Sequence, residues 1–302
     1  MKKKFLVAIA IAAATATGAF AQANDTFAKV KAAGKVVMGT RESSAPLAYT
    51  TGGGQYTGYH VELCQRILKS VFPGVPVEYV AITSANRIPL VQNGTVDIEC
   101  GSTTNNATRQ KDVAFALTTY VTEVRTAVKA NSGIKSVADL NNKTVATTTG
   151  TTSVALLRKN RRSEGIQFKE VYGKDHADSF LLLESGRADA FVMDGSILAG
   201  NIANARTPAD FKLLGEVLNV EPIAIMVRKE DAGLKKLGND VIAGLVKSGE
   251  MNKLWDKWFL QPIPPKNTKV GLPLSESTKA AWANPNDLEV GDSVIFYPSG
   301  KK

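Results

Sequence analysis

The stretch Glu99-Cys100-Gly101-Ser102-Thr103-Thr104-Asn105-Asn106-Ala107-Thr108-Arg109 decides how this chain is read. A short strand-like segment, Val96 to Glu99, runs into it. A helix-like segment carrying Arg109, Lys111, Val113 and Phe115 leaves it. The stretch is therefore a loop at the carboxyl end of a strand, opening a helix. Such a loop presents unpaired backbone N–H groups and a positive dipole end. Ser102, Thr103 and Thr104 add hydroxyls, and Arg109 adds a planar fork suited to a carboxylate. Together they make a candidate anion site. The same residue types also suit a plain helix cap beside a solvated arginine, so the rest of the chain decides.

Working outward, the same unit recurs. Val36 to Thr40 is a compact apolar strand that runs into Arg41-Glu42-Ser43-Ser44-Ala45-Pro46. Gly58 to Ser70 reads as a helix, with Val61, Cys64, Ile67 and Leu68 on one face. Val77 to Ile82 is a strand ending in Thr83-Ser84-Ala85-Asn86-Arg87. A second series follows Tyr120. Thr144 to Thr148 is a strand ending in Thr149-Gly150-Thr151-Thr152-Ser153, and Gln167 to Val171 is another, running to Lys174-Asp175-His176-Ala177-Asp178. Ala188 to Met193 is an apolar strand ending at Asp194-Gly195-Ser196. Strands alternating with helices predict a parallel-rich α/β sheet. Two such series predict two α/β lobes, each a sheet flanked by helices. Ligands in open α/β sheets bind outside the carboxyl ends of the strands. Lobes that face each other there bring all these loops to one cleft.

Beyond the second series, Phe211 to Gly215 and Ile223 to Val227 read as strands and Asp231 to Lys247 as an amphipathic helix. Pro262, Pro264 and Pro265 are expected to end the regular structure, leaving Lys266 to Lys302 as a tail that wraps the surface.

Met1 to Ala21 has the form of an export leader. Lys2, Lys3 and Lys4 precede a short apolar run, and Ala19-Phe20-Ala21 supplies small residues before a cut at Gln22. The run is too short to span a bilayer, so a soluble, exported mature chain is expected. The formal charge of +9 falls to +6 once those three lysines leave with the leader. The basic residues are interspersed with acids and form no aromatic-basic array, which argues against a nucleic-acid partner. A mildly basic surface instead attracts small anions. The two cysteines, Cys64 and Cys100, fit either a disulfide or two buried thiols, since an exported protein meets an oxidising compartment. Neither lies in a CxxC pair, so a metal or redox motif is not expected.

No GxSxG elbow, HExxH or P-loop occurs, and no metal or cofactor site is expected. Of the two histidines, His60 reads as a surface helix residue and His176 as partly buried, with a charge that depends on pH. Arg41, Arg87 and Arg109 each lie at or just after a strand end in the first series. Three arginines facing one cleft repel unless anions sit between them. Asp194, at the end of an apolar strand, is the matching acid. A ligand with two carboxylates and one ammonium would use the whole set.

The chain resembles the periplasmic glutamate/aspartate-binding proteins of ABC transporters, in the polar-amino-acid binding group. The likeness rests on Gly39-Thr40-Arg41-Glu42-Ser43-Ser44, on Ile82 to Leu90, on Glu99 to Asn106, on Lys174 to Phe180 and on Leu183 to Ala188. Trp258-Phe259 and Pro262 to Asn267 extend it. The resemblance implies a two-lobed, type II periplasmic-binding-protein-like fold whose lobes are joined by two crossing strands. It implies lobe 1 from 22–120 and 221–265, lobe 2 from 121–220, a signal peptide over 1–21 and a tail over 266–302. The ligand α-carboxylate would meet Arg109, the Thr104 region and the Thr152 loop. The ammonium would meet Asp194 and Ser102, and the side-chain carboxylate would meet Arg41, Ser84, Arg87 and His176.

The expectation is thus a monomeric periplasmic receptor for L-glutamate or L-aspartate, delivering ligand to an inner-membrane ABC permease by hinge closure, with no cofactor and no enzymatic activity. Two alternatives stand beside it. One is a carboxylic-acid dehydratase on the same fold, with His176 and Glu99 as its acid–base pair. The other is a chemosensory amino-acid receptor.

Overall fold

The computed structural model describes residues 25–289, with only the backbone described over 160–164. The leader assigned to Met1–Ala21 and the end of the tail from Gly291 lie outside the described residues.

A short helix, α1 (Thr26–Ala33), precedes strand β1 (Val36–Thr40), the two-residue β2 (Ser43–Ser44), and the hairpin β3 (Ala48–Gly52) and β4 (Gln55–Thr57). Helix α2 (Tyr59–Val71), β5 (Val77–Ala81), α3 (Arg87–Gln92) and β6 (Ile98–Glu99) complete the first series. After the one-turn α4 (Ala107–Gln110) comes β7 (Val113–Lys129). The second series is β8 (Thr144–Thr148), α5 (Thr152–Glu164), β9 (Lys169–Gly173), α6 (His176–Glu184), β10 (Ala190–Asp194) and α7 (Gly195–Ala203). The chain continues through β11 (Phe211–Leu213), β12 (Asn219–Arg228), α8 (Ala232–Lys247), α9 (Glu250–Trp255), β13 (Pro262–Ile263), β14 (Thr268–Lys269) and α10 (Glu276–Ala283).

The main sheet runs β5-β1-β6-β12-β7-β10-β8-β9, with β11 against β7. Its two ends are parallel: β1 with β5 and β6, and β8 with β9 and β10. These ends are the two βα series read from the sequence. The middle is antiparallel, where β12 pairs with β7 from Asn219↔Val124 to Arg228↔Val113, with irregular register around Ala224. At 17 residues β7 exceeds an ordinary strand because it serves both halves of the sheet.

Three expectations are corrected here. The segment after Arg109 is not helical through Phe115: α4 stops at Gln110, and Val113 and Phe115 are strand residues opposite Arg228 and Met226. Their spacing of two is the strand period. Regular structure also continues past the prolines. Ser275 caps α10 by accepting from the Thr278 N–H, and α10 buries Ala281 and Trp282. Trp282 Nε1 donates to the Thr119 carbonyl, the Thr278 hydroxyl bonds the Val121 backbone, and Thr118 N–H donates to the Asn286 carbonyl. The first part of the tail is thus docked on β7 at the middle of the sheet. Finally, His60 is fully buried rather than on the surface. Its Nδ1 bonds the Gly101 carbonyl and its Nε2 lies 2.8 Å from Thr119 Oγ1, while burial pulls its pKa down to about 4.

One turn further along α2, Cys64 is disulfide-bonded to Cys100. Helix α2 therefore grips the Glu99–Arg109 loop from behind at two adjacent residues. Among the described residues no helix is long and apolar enough to cross a membrane.

Candidate functional site

The polar loops meet at the carboxyl ends of both parallel groups. A space of about 190 Å³ is lined by Ser84, Arg87, Ser102, Thr104, Arg109, Thr151, Thr152, His176, Met193 and Asp194. Eight of the nine residues expected to contact a ligand are in this lining. The ninth, Arg41, lies just behind it.

Arg41 follows β1 and is 1% exposed. Its Nη1 donates to Ser102 Oγ at 3.2 Å and its Nη2 to Ser84 Oγ at 2.9 Å. The same Nη2 reaches His176 Nε2 at 3.3 Å. An arginine can only donate, so Nε2 accepts, and the proton of the neutral ring sits on Nδ1. That nitrogen lies 3.0 Å from Thr148 Oγ1, which lies 2.7 Å from Ser179 Oγ. Ser179 in turn donates to the Thr147 and Asp175 carbonyls. The relay leaves His176 no acceptor for a second proton. Burial, then Arg41 and Arg87, hold its pKa well below the ordinary histidine range. His176 is therefore fully buried and neutral, not partly buried and pH-dependent as the sequence suggested.

Arg87 opens α3, is 2% exposed, and its Nε is buried without a hydrogen-bond partner. Arg109 is fixed differently. Asn106 caps α4 by accepting from the Arg109 N–H, and the guanidinium donates to the Thr104 carbonyl at 2.8 Å and the Gly150 carbonyl at 3.4 Å. Burial, then Arg87, pull Arg41 and Arg109 down to about 9. All three guanidiniums stay charged at neutral pH.

Asp194 closes β10 at 1% exposure, and its Oδ1 is buried without a partner. Burial, and next the Glu221 carboxylate, raise its pKa to about 8, against the pull of the three arginines. Sequence reasoning assigned no role to Glu221. It lies in β12, 1% exposed, where Oε2 accepts from Thr104 Oγ1 at 2.7 Å and from Thr152 Oγ1 at 2.8 Å. Its one sequence signal is a lone acid in an otherwise apolar and β-branched strand. Glu99 is a third buried acid: Oε2 accepts from Thr103, Oε1 has no partner, and burial raises its pKa. Thr151 and Met193 were also not singled out.

The two halves of the sheet touch across this space. Arg41 meets His176, Arg109 meets Gly150, and a Cβ on Gly150 would stand 2.7 Å from the Ala85 Cα. With φ at +81°, Gly150 holds a turn that favours glycine on backbone grounds as well. A larger hollow of about 930 Å³ lies elsewhere, walled by Leu213, Trp255, Leu272 and Leu274. Its charged members, Glu123 and Arg125, already pair with each other. Buried, unpaired charges are costly, so the smaller space is where a charged ligand gains most. Its lining sets the Arg87 and Arg109 guanidiniums against the Asp194 carboxyl group.

Residues 36–261 match the bacterial extracellular solute-binding proteins, family 3, and the chain belongs to that family. It is 43% identical over 289 residues, 93% of this chain and 96% of the relative, to the glutamate/aspartate import solute-binding protein of Escherichia coli K12. It is 43% identical over 268 residues, 87% and 89% of the two chains, to the L-glutamate/L-aspartate-binding protein of Pseudomonas aeruginosa PAO1. A crystal structure of the substrate-binding protein of an amino acid ABC transporter superposes with a TM-score of 0.67 at 32% identity, covering 75% of this chain and 99% of that one. The fold is that of the type II periplasmic binding proteins, a mixed sheet flanked by helices.

Proposed function

We propose that this family 3 solute-binding protein is a periplasmic receptor for acidic L-amino acids, glutamate or aspartate, that hands its ligand to an inner-membrane ABC permease. The observation that carries the reading is the cluster of three buried arginines around one small space, with the Asp194 carboxylate facing them. Two relatives 43% identical to it carry glutamate and aspartate in their names.

In this reading Arg109 and the opening N–H groups of α5 at Thr152 take the α-carboxylate. The Thr104 N–H joins them. The bridge between Thr104 and Ile223 uses the Asn105 N–H and the Thr103 carbonyl, leaving the Thr104 N–H outside it. Asp194 and Ser102 take the ammonium. Arg87, backed by Arg41, Ser84 and neutral His176, takes the side-chain carboxylate. An amide at that end would leave Arg87 buried without an anion, which is the physical basis for preferring acids.

Lobe 1 is taken as 22–120 with 221–265, and lobe 2 as 121–220, swinging about the crossing strands near 120–126 and 217–222. Both sides of the cleft come from one chain, so a monomer has a complete site. The ligand's charges all find side-chain partners, so the reading needs no cofactor. The enzyme reading places His176 as an acid–base group, and a ring held neutral between Arg41 and Thr148 is poorly suited to it. Incubating ligand-stripped protein with glutamate separates the two. Saturable, one-to-one binding with the ligand recovered unchanged supports the receptor; accumulation of a product overturns it.

A further inference from the structure

Glu221 is the one buried carboxylate whose hydrogen bonds join both halves of the site. Thr104 is tied to β12 itself, because the Asn105 N–H donates to the Pro222 carbonyl and the Ala224 N–H to the Thr103 carbonyl. Thr104 and Glu221 are therefore neighbours on one framework. Thr152 belongs to the other half, at the first position of α5. The bond from Thr152 to Glu221 Oε2 thus crosses the cleft, beside the strands that join its two sides. The second oxygen, Oε1, is held by Asn219 Nδ2 at 2.9 Å, so the carboxylate cannot turn away.

A hydroxyl has one proton to donate and two lone pairs to accept with. Glu221 takes the proton of Thr104 and the proton of Thr152. Thr104 and Thr152 both line the ligand space, and their hydroxyl oxygens have only acceptor capacity left. The buried, unpartnered Asp194 Oδ1 belongs to the same lining. Three acceptors then converge where a cation is the complementary partner.

We infer that Glu221, out of the ligand's own reach, makes Thr104 and Thr152 into acceptors for the ligand's ammonium, and through the Thr152 bond latches the closed cleft. This rests on the reading of the site as an amino-acid receptor. It makes Glu221 a positioning residue that sets specificity for an α-amino group. An anionic analogue without that group, such as glutarate in place of glutamate, gains nothing from the pair of hydroxyls.

The test compares glutamate with glutarate by competition, in the unsubstituted chain and in Glu221→Gln. Both threonines donate to Oε2 while Asn219 donates to Oε1, so the single oxygen of an amide cannot satisfy all three donors, and an NH2 in the place of Oε2 turns both hydroxyl protons towards the ligand. Glu221→Gln is expected to weaken glutamate about 10-fold or more, to weaken glutarate less, because glutarate loses the latch but no ammonium contact, and so to narrow the ratio between them. Thr152→Val leaves Glu221 in place and is expected to narrow the ratio in the same direction. The double variant should lose less than the two single losses combined, because both act on one contact. Equal weakening of both ligands in Glu221→Gln, with an unchanged ratio, overturns this inference alone. No saturable glutamate binding in the unsubstituted chain overturns the receptor reading, and this inference with it.

Discussion

Arg41 Nη2 lies 3.3 Å from His176 Nε2, so a guanidinium at the end of β1 donates to a histidine from the opposite half of the sheet. The contact fixes the histidine tautomer and holds the ring neutral, and it forms only when the two halves are together. Burial first, and then the Arg41 charge that a protonated His176 would face at that distance, put its pKa well below the ordinary value.

The first prediction concerns pH. With His176 neutral throughout, glutamate affinity should show no inflection near pH 6.5. Asp194 should supply one instead, since its pKa in the empty site is about 8. Below that value the empty site holds a proton on Asp194, and an arriving ammonium favours the carboxylate and displaces the proton. Affinity should therefore rise with pH up to about 8, and fall again as Arg41 and Arg109 lose their protons around pH 9. Calorimetry in two buffers of different ionisation enthalpy should register proton release at pH 7, and Asp194→Asn should abolish it. An inflection near 6.5 that Asp194→Asn leaves in place would contradict this assignment.

The second concerns selectivity. Arg87 Nε is buried without a protein acceptor, and in the proposed reading the ligand side chain supplies one. Arg87→Ala should cost about 1.5–3 kcal/mol in glutamate or aspartate binding, the range for hydrogen bonds to charged groups. Glutamine and asparagine should lose much less. Equal losses in both classes would mean that Arg87 does not read the ligand side chain.

The third isolates closure. Gly150 approaches Ala85 so tightly that an added methyl would stand 2.7 Å from its Cα. Gly150→Ala should weaken all ligands by a similar factor, mainly through faster dissociation, while thermal unfolding of the empty protein moves by only a few degrees. A selective loss for one ligand would place Gly150 in recognition instead.

The fourth concerns the disulfide. It joins residues 36 apart and anchors the loop that carries Ser102 and Thr104. Replacing both cysteines with serine should lower unfolding free energy by about 2–4 kcal/mol. The affinity loss should be smaller, because the His60 bond to the Gly101 carbonyl still holds the loop from the same helix. Denaturant titration measures the first effect and calorimetry the second.

Much of this architecture is legible in the chain because short β-branched runs, such as Thr144–Thr148 and Ala190–Asp194, stop at polar loops and are followed by helices. That pattern places Arg41, Arg87, Arg109 and Asp194 at strand ends before any coordinates are known. Family resemblance adds Ser84, Ser102, Thr104, Thr152 and His176. Glu221 stays hidden for a physical reason. Its two threonine partners are 117 and 69 residues away, and only the pairing of β7 with β12 brings them together. His60 is hidden because α2 is covered on more than the face that carries Cys64, and local periodicity does not report what covers a helix. The α10 segment is hidden behind three prolines, whose stop signal is local, while Trp282 is held by a β7 carbonyl 163 residues earlier.

The central claim is that three buried arginines select a dicarboxylic amino acid. The most direct measurement is a calorimetric titration of ligand-stripped mature protein with glutamate, aspartate, glutamine, asparagine, arginine and histidine. The account predicts saturable, one-to-one binding of glutamate or aspartate at least 10-fold tighter than their amides, and no measurable binding of arginine. Tight binding of a neutral or basic amino acid, with no heat from either acid, would contradict it.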